Sequence, residues 1–237
     1  EFRRANVVPT ARLVDAALKN KVKHFIFASS LKVHGESSGI NPLRESDPLH
    51  AKDPYGVSKV EAERAIMDAA SNHSMSTTIL RLPLIYGPGV KGNFLRLERL
   101  VKTGVPLPLA AARNKRSMLY VGNLNSAILA ILNQPCAGIR TFLLSDGHDV
   151  STADLVRSIA AAHGRPSRLF SVPVSILRAG ARMFGLDAEI DRLTGNLQVD
   201  ISRVSENLNW RPPFGFDQGV AATIAVNSEP YAPENPT

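Results

Sequence analysis

The sequence predicts an α/β protein built on a parallel sheet, and three segments carry that prediction. His24-Phe-Ile-Phe-Ala-Ser29 and Thr77-Thr-Ile-Leu-Arg-Leu-Pro83 read as short strands of the kind that a parallel sheet buries on both faces. Between them a helical pattern begins near Tyr55 and runs to about Ser71. Strand, helix and strand in that order imply a right-handed parallel crossover.

The remaining elements follow in chain order. Val8, Leu13, Val14, Ala17 and Leu18 recur at roughly helical spacing over residues 5 to 19, with Pro9 tolerable only near a helix start. The polar stretch from Gly35 to Asp53, with Pro42 and Pro48, reads as a loop. Ile85-Tyr-Gly-Pro-Gly89 gathers turn formers behind the second strand. Helices are expected over 93–103, 122–133 and 152–163, the last opened by a loose capping box, Ser151-Thr-Ala-Asp154. Arg140-Thr-Phe-Leu-Leu-Ser145 supplies another strand. Residues 173–195 hold helical segments, and Val199 to Trp210 reads as a short strand followed by a short helix. The last ten residues, with Pro230, Pro233 and Pro236, read as a frayed tail.

Composition narrows the function classes. The 237 residues suffice for one substantial core or for a core with a smaller lobe. With 44% apolar and 21% charged residues, and no apolar run of bilayer length, no membrane span is expected. The single Cys136 cannot form an internal disulfide, and Glu1-Phe-Arg-Arg4 does not resemble a signal peptide, so a reducing cytoplasm fits best. Net charge is +7, yet the basic residues are scattered. The densest group, Arg113-Asn-Lys-Arg116, lacks the interleaved aromatics of a nucleic-acid groove. His34 has no spaced His or Cys partner, which argues against a metal site.

Tyr55-Gly-Val-Ser-Lys59 carries the chemistry. A free tyrosine titrates near ~10 and is a poor base at neutral pH unless a positive charge stabilises its phenolate. Residues at i and i+4 share a helix face, so the Lys59 ammonium can do that while also reaching a bound ligand. A dinucleotide fold, however, opens with a strand, a glycine-rich turn and a helix that holds the pyrophosphate. No GxGxxG or GxxGxxG occurs here, and the chain opens inside a helical pattern without an initiator Met. The expectation is that an N-terminal stretch of roughly 70 to 90 residues is absent from this sequence, the alternative being a protein that binds no dinucleotide.

Taken together, these residues resemble the extended short-chain dehydrogenases that act on nucleotide sugars, the NAD-dependent epimerase/dehydratase family. The resemblance runs to about residue 220. Arg4-Ala-Asn6-Val-Val-Pro-Thr10 resembles the family's Asn-bearing helix beside the nicotinamide ribose, and Ser29-Ser30-Leu-Lys-Val-His-Gly35 its Ser-Ser-x-x-Val-Tyr-Gly. Arg81-Leu-Pro-Leu-Ile-Tyr-Gly-Pro88 resembles the strand end along the nicotinamide. Asp200 to Trp210-Arg-Pro-Pro is similar to the family's closing helix with Leu-x-Trp-x-Pro.

What the resemblance implies is a Rossmann-like, doubly wound parallel sheet with a small C-terminal substrate lobe. Residues 1–90 and 117–147 fall to the dinucleotide-binding domain, 91–116 and 148–226 to the lobe, and 227–237 to a tail. It implies Ser30, Tyr55 and Lys59 as the catalytic group, and Asn6, Ser29, Tyr55, Lys59 and Pro83 as contacts to NAD or NADP. Ser30, Asn93, Arg116 and, at imperfect spacing, Arg192 are the implied contacts to a UDP-sugar. It further implies a homodimer, formed when the helices starting near Ala5 and Tyr55 pair with their copies in a four-helix bundle. Plainer roles stand beside these: a cap for Ser30, a helix N-terminal residue for Asn93, a surface ion pair for Arg116.

Departures from the family pattern carry information too. Ser30-Leu31-Lys32 stands where the family's 4,6-dehydratases have Thr-Asp-Glu, which argues against dehydration. His34 replaces a common Tyr and Leu84 a common Asn, so the sugar pocket is expected to differ from that of a standard UDP-glucose 4-epimerase. The segments around Pro83–Phe94 and Gly104–Leu109 look most like bacterial surface-polysaccharide enzymes that interconvert 4-keto and 4-hydroxy UDP-N-acetyl deoxysugars. The reading is therefore Tyr-assisted hydride transfer at sugar C4. A noncatalytic dinucleotide-sensing or interaction protein of the same fold is the alternative, and an intact Ser30, Tyr55 and Lys59 argues against it.

Overall fold

The computed structural model describes residues 1–228. A π-helical turn, Arg3–Val7, runs without a break into α1 (Val8–Lys19); Val8 N donates to Arg3 O five residues back, directly before Pro9, whose nitrogen has no hydrogen to donate. β1 (His24–Ser30) ends in a single 3-10 turn, Leu31–Val33, and a long loop follows to α2 (Pro54–Ala70). β2 (Ser76–Leu82) returns parallel to β1, with Ser30 level with Leu82. Both expected strands and the helix between them are therefore present. Val14 and Ala17 of α1, Ile66 and Ala70 of α2, and Ile79 of β2 form one buried cluster that packs the helices on this sheet.

After β2 come β3 (Leu84–Tyr86), α3 (Gly92–Thr103), β4 (Arg116–Tyr120), α4 (Val121–Asn133) and β5 (Ile139–Leu143). β6 (Asp149–Val150) precedes α5 (Thr152–Ala162), whose capping box forms as expected, with Asp154 N donating to Ser151 Oγ at 3.0 Å. Four helices complete the described chain: α6 (Val174–Met183), α7 (Asp187–Thr194), α8 (Ser202–Leu208) and α9 (Phe216–Ser228). The strands sort into two sheets, β1-β2-β5, all parallel, and β3-β4-β6, in which β6 runs antiparallel to β4.

The structure corrects several expectations. The turn formers at 85–89 begin only at Gly87, because Tyr86 is buried in a strand against Phe94, Tyr120 and Phe216. β4 stands where the sequence was read only for its arginine. Val199 makes no strand, only an isolated bridge to Leu43. α9 extends past residue 227, where a tail was expected to start: Asn227 donates to Glu98 and accepts from Gly89 N. The rest of that expected tail, 229–237, lies outside the described residues.

β2 is buried along its whole length, whereas Phe25, Ile26 and Phe27 of β1 are only half-buried. The outer edge of β1 pairs with no strand among the described residues. Parallel sheets seldom leave such an edge bare. On the other flank, the loop after β1 is stitched to the segment before α8: Ser38 N donates to Asn196 O, Leu43 N to Gln198 O, and Asp200 N to Leu43 O. That seam brings the loop after Ser30 against the C-terminal part of the chain.

Candidate active site

α2 starts where it does because Asp53, in extended conformation, accepts hydrogen bonds from Tyr55 N (3.0 Å) and Gly56 N (3.1 Å). Burial pushes the Asp53 carboxyl up, but those two amides and Lys32 outweigh it and hold it below the usual range. Lys32 Nζ, 3.2 Å from Asp53, ties the first turn of α2 to the turn that follows Ser30. Gly56 permits the contact: a Cβ there would lie 2.7 Å from the Lys32 carbonyl oxygen.

This docking presents Lys59 to the C-terminal end of β1, with the Tyr55 ring beside it on α2 and edge-on to Phe2. Lys59 Nζ donates to Ala28 O at 3.0 Å, sits 4.8 Å from the Phe27 ring centroid and 5.8 Å from that of Tyr55. Burial lowers the Lys59 affinity for its proton, and the Glu63 carboxylate opposes that. An ammonium has three donors, so two remain for a ligand. Ser30 accepts from Lys32 N at 3.3 Å, which is the plainer capping role, and its hydroxyl proton is left to donate elsewhere. Asn6, within the π turn, donates to Ser58 Oγ at 2.9 Å, and Ser58 in turn donates to Tyr55 O at 2.7 Å. π turns recur at functional sites, and this one braces the first turn of α2.

Other expected site residues fall differently. Ser29 is buried, and its hydroxyl donates to Glu63 Oε1 at 2.5 Å, so only its backbone is left for a cofactor. Pro83 is buried directly after β2, level with the end of β1. Asn93 is exposed in the first turn of α3 and has no contact to the Tyr55 group. Arg116 and Arg192 do meet: Arg116 Nη1 donates to Arg192 O (3.0 Å) and Gly195 O (3.3 Å). Burial lowers the Arg116 value, Glu36 opposes this and Arg192 adds to it. Arg192 Nε lies 3.8 Å from Glu36 Oε2, and Glu36 Oε1 accepts from Lys32 Nζ at 3.1 Å. A run of charges, Asp53, Lys32, Glu36, Arg192 and Arg116, thus connects the start of α2 to the end of α7.

Two residues that sequence reasoning missed sit behind this surface. Glu63 and Arg81, both nearly inaccessible, form an ion pair at 2.8 Å. One signal was available: Glu63 continues the four-residue spacing of Tyr55 and Lys59.

A phenol with an ammonium one turn on, the ammonium seated at the carboxyl end of a parallel strand, points to the class of protein, an α/β enzyme of the short-chain dehydrogenase type. The chain belongs to the NAD dependent epimerase/dehydratase family, whose family model matches residues 1–143. It is 42% identical over 233 residues to the UDP-glucose 4-epimerase of Vibrio cholerae, covering 96% of this chain and 71% of that protein. It is 26% identical to the N-acetyl-alpha-D-glucosaminyl-diphospho-ditrans,octacis-undecaprenol 4-epimerase of Escherichia coli O157:H7, covering 92% of this chain and 70% of that one. Among solved structures, UDP-N-acetylglucosamine 4-epimerase from Bacillus cereus superposes with a TM-score of 0.75 at 21% identity, over 94% of this chain and 71% of that one. The dTDP-glucose 4,6-dehydratase of Bacillus anthracis, solved with NAD, gives the same score at 18% identity, over 95% and 68%. At these identities the structures speak for the fold, a Rossmann-type α/β sheet.

Proposed function

We propose that this chain carries the catalytic and sugar-binding part of an NAD-dependent UDP-sugar 4-epimerase. The observation that carries the proposal is the Lys59 ammonium, anchored at 3.0 Å to the strand end that bears Ser30 and held on the same helix face as Tyr55. The V. cholerae relative, at 42% identity, supports epimerisation, and Leu31 and Lys32 in place of two acidic groups argue against dehydration.

The residues present fit a nicotinamide nucleoside: the two free Lys59 donors suit a ribose diol, beside a phenol. Asn6, through Ser58, keeps that turn in place. When bound, NAD would supply reversible hydride acceptance at sugar C4. Tyr55, as phenolate, takes the proton from the C4 hydroxyl and gives it back, and Ser30 donates a hydrogen bond to the same oxygen. Lys59 stabilises the phenolate. Arg116, Arg192 and Asn93, all within the lobe, hold the diphosphate by charge-assisted hydrogen bonds and supply binding energy far from the reacting carbon. The bare edge of β1 suits a further parallel strand of the dinucleotide-binding sheet. Under this reading the lobe is residues 91–116 and 148–226, the enzyme is a cytoplasmic homodimer that pairs through α1 and α2, and its product feeds surface polysaccharide synthesis.

The test is turnover of UDP-glucose and UDP-N-acetylglucosamine with NAD, followed by proton NMR of the sugar, on the enzyme expressed at its full natural length. Interconversion of a C4 epimer pair is expected. Binding of nucleotide without any turnover of either sugar would favour the sensing alternative.

A further inference from the structure

We propose that Glu63, clamped by Arg81, is a positioning residue that sets Lys59 and the Ser29–Ser30 strand end against α2 and couples them to the loop over residues 34–48. The inference rests on the catalytic reading of Tyr55 and Lys59 above.

The geometry is closed and almost wholly buried. Glu63 is 1% exposed and Arg81 4%. Arg81 Nε donates to both carboxylate oxygens at 3.2 Å, and Nη2 to Oε2 at 2.8 Å. Ser29 adds its hydroxyl to Oε1. The remaining Arg81 nitrogen, Nη1, reaches Glu45 O and His34 Nε2, each at 3.0 Å. A guanidinium has no lone pair to offer, so His34 Nε2 must be the acceptor and its proton must sit on Nδ1. Nδ1 then donates to Pro48 O at 3.2 Å. One cation thereby joins β2, α2, the end of β1 and both ends of the 34–48 loop.

Helix and strand alone do not require this arrangement. An apolar pair of similar volume would hold α2 to the sheet without the cost of desolvating two charges. What the charges add is direction. Ser29 is the neighbour of Ser30, and Glu63 is the carboxylate one turn from Lys59, whose proton it helps retain. Lys59 otherwise faces Tyr55 on its own helix, and the Ala28 carbonyl and Phe27 ring on β1. Glu63 faces Arg81 on β2 and Ser29 on β1. His34 stands beyond the guanidinium.

The test is the pH profile of kcat/KM, with UDP affinity, in Glu63→Gln and Ser29→Ala. In Glu63→Gln the site gains positive charge from the unpaired Arg81, which favours the phenolate. The acid limb should move down by roughly half a pH unit or more, and kcat should fall roughly 10-fold to 100-fold while UDP affinity holds. A limb that stays in place, with loss of thermal stability alone, assigns the pair a structural role and overturns the proposal. Should Glu63→Gln fail to fold, Ser29→Ala decides: it buries no unpaired charge, and kcat is expected to drop several-fold with UDP affinity unchanged. Parent kcat in Ser29→Ala overturns the inference. Tyr55→Phe is the control that separates the two claims, since near-parent turnover there removes the catalytic reading itself.

Discussion

Lys59 gives one N–H to Ala28 O at 3.0 Å and keeps two, so its charge is fixed in place without being used up. Replacing it by Met removes the cation and the donors while keeping the stem, and kcat/KM should fall roughly 10²-fold to 10⁴-fold with the helical circular dichroism unchanged. His34 supplies a second prediction. Burial and the Arg81 guanidinium hold its imidazole below the usual histidine range, against opposing pulls from Pro48 O, Glu63 and Asp47. A depressed folded-state value means that the unfolded chain takes up the proton first as pH falls. Its contribution is therefore fully present above about 6.5 and is lost as pH drops below that through the folded value. His24, lowered by burial and Arg140, acts in the same sense. Chemical denaturation between pH 7.5 and 5 should show falling stability, with a shallower fall in His34→Asn. At this scale the sequence was legible where spacing was local. Tyr55 and Lys59 share a helix face by number alone, whereas the Glu63–Arg81 pair spans two elements. The displaced Tyr at His34 was read as a change in the sugar pocket, yet His34 faces inward to Arg81.

At the scale of elements, the start of α2 decides whether Lys59 meets β1. Asp53→Ala removes the cap on Tyr55 N and Gly56 N and the Lys32 bridge together, which should cost about 1 to 2 kcal/mol in denaturant titration. Gly56→Ala places a methyl 2.7 Å from the Lys32 carbonyl oxygen, so α2 must shift. Turnover should then fall more than stability does, as stopped-assay rates on the folded variant will show. Long periodic elements were readable from sequence: α2, α5 with its capping box, and the β1 and β2 crossover. β3 and β4 were not: three residues carry little periodicity, and β4 opens on the Arg116 of a basic group. Tyr86-Gly-Pro-Gly also reads as a turn until the buried aromatic cluster is known.

For the whole molecule, the outer face of α1 and α2 leaves Leu13 61% exposed, with Val8 and Val57 about half exposed. Such a surface on two packed helices favours pairing with a second copy. Light scattering of the enzyme should give a dimer, and Leu13→Asp should shift it toward monomer; a monomeric parent would remove the homodimer from the account. Fold class was legible because strand, helix and strand alternate. The joining of Arg116 to Arg192 through α7 was expected only by resemblance, since those residues are far apart in sequence and meet through backbone carbonyls.

The claim on which the rest depends is that the Tyr55 phenol moves the proton at sugar C4. Single-turnover rates for Tyr55→Phe, alongside calorimetric UDP binding, test it most directly. Turnover is expected to fall roughly 10²-fold or more, with UDP affinity within about twofold of the parent. Turnover within a few-fold of the parent would contradict it.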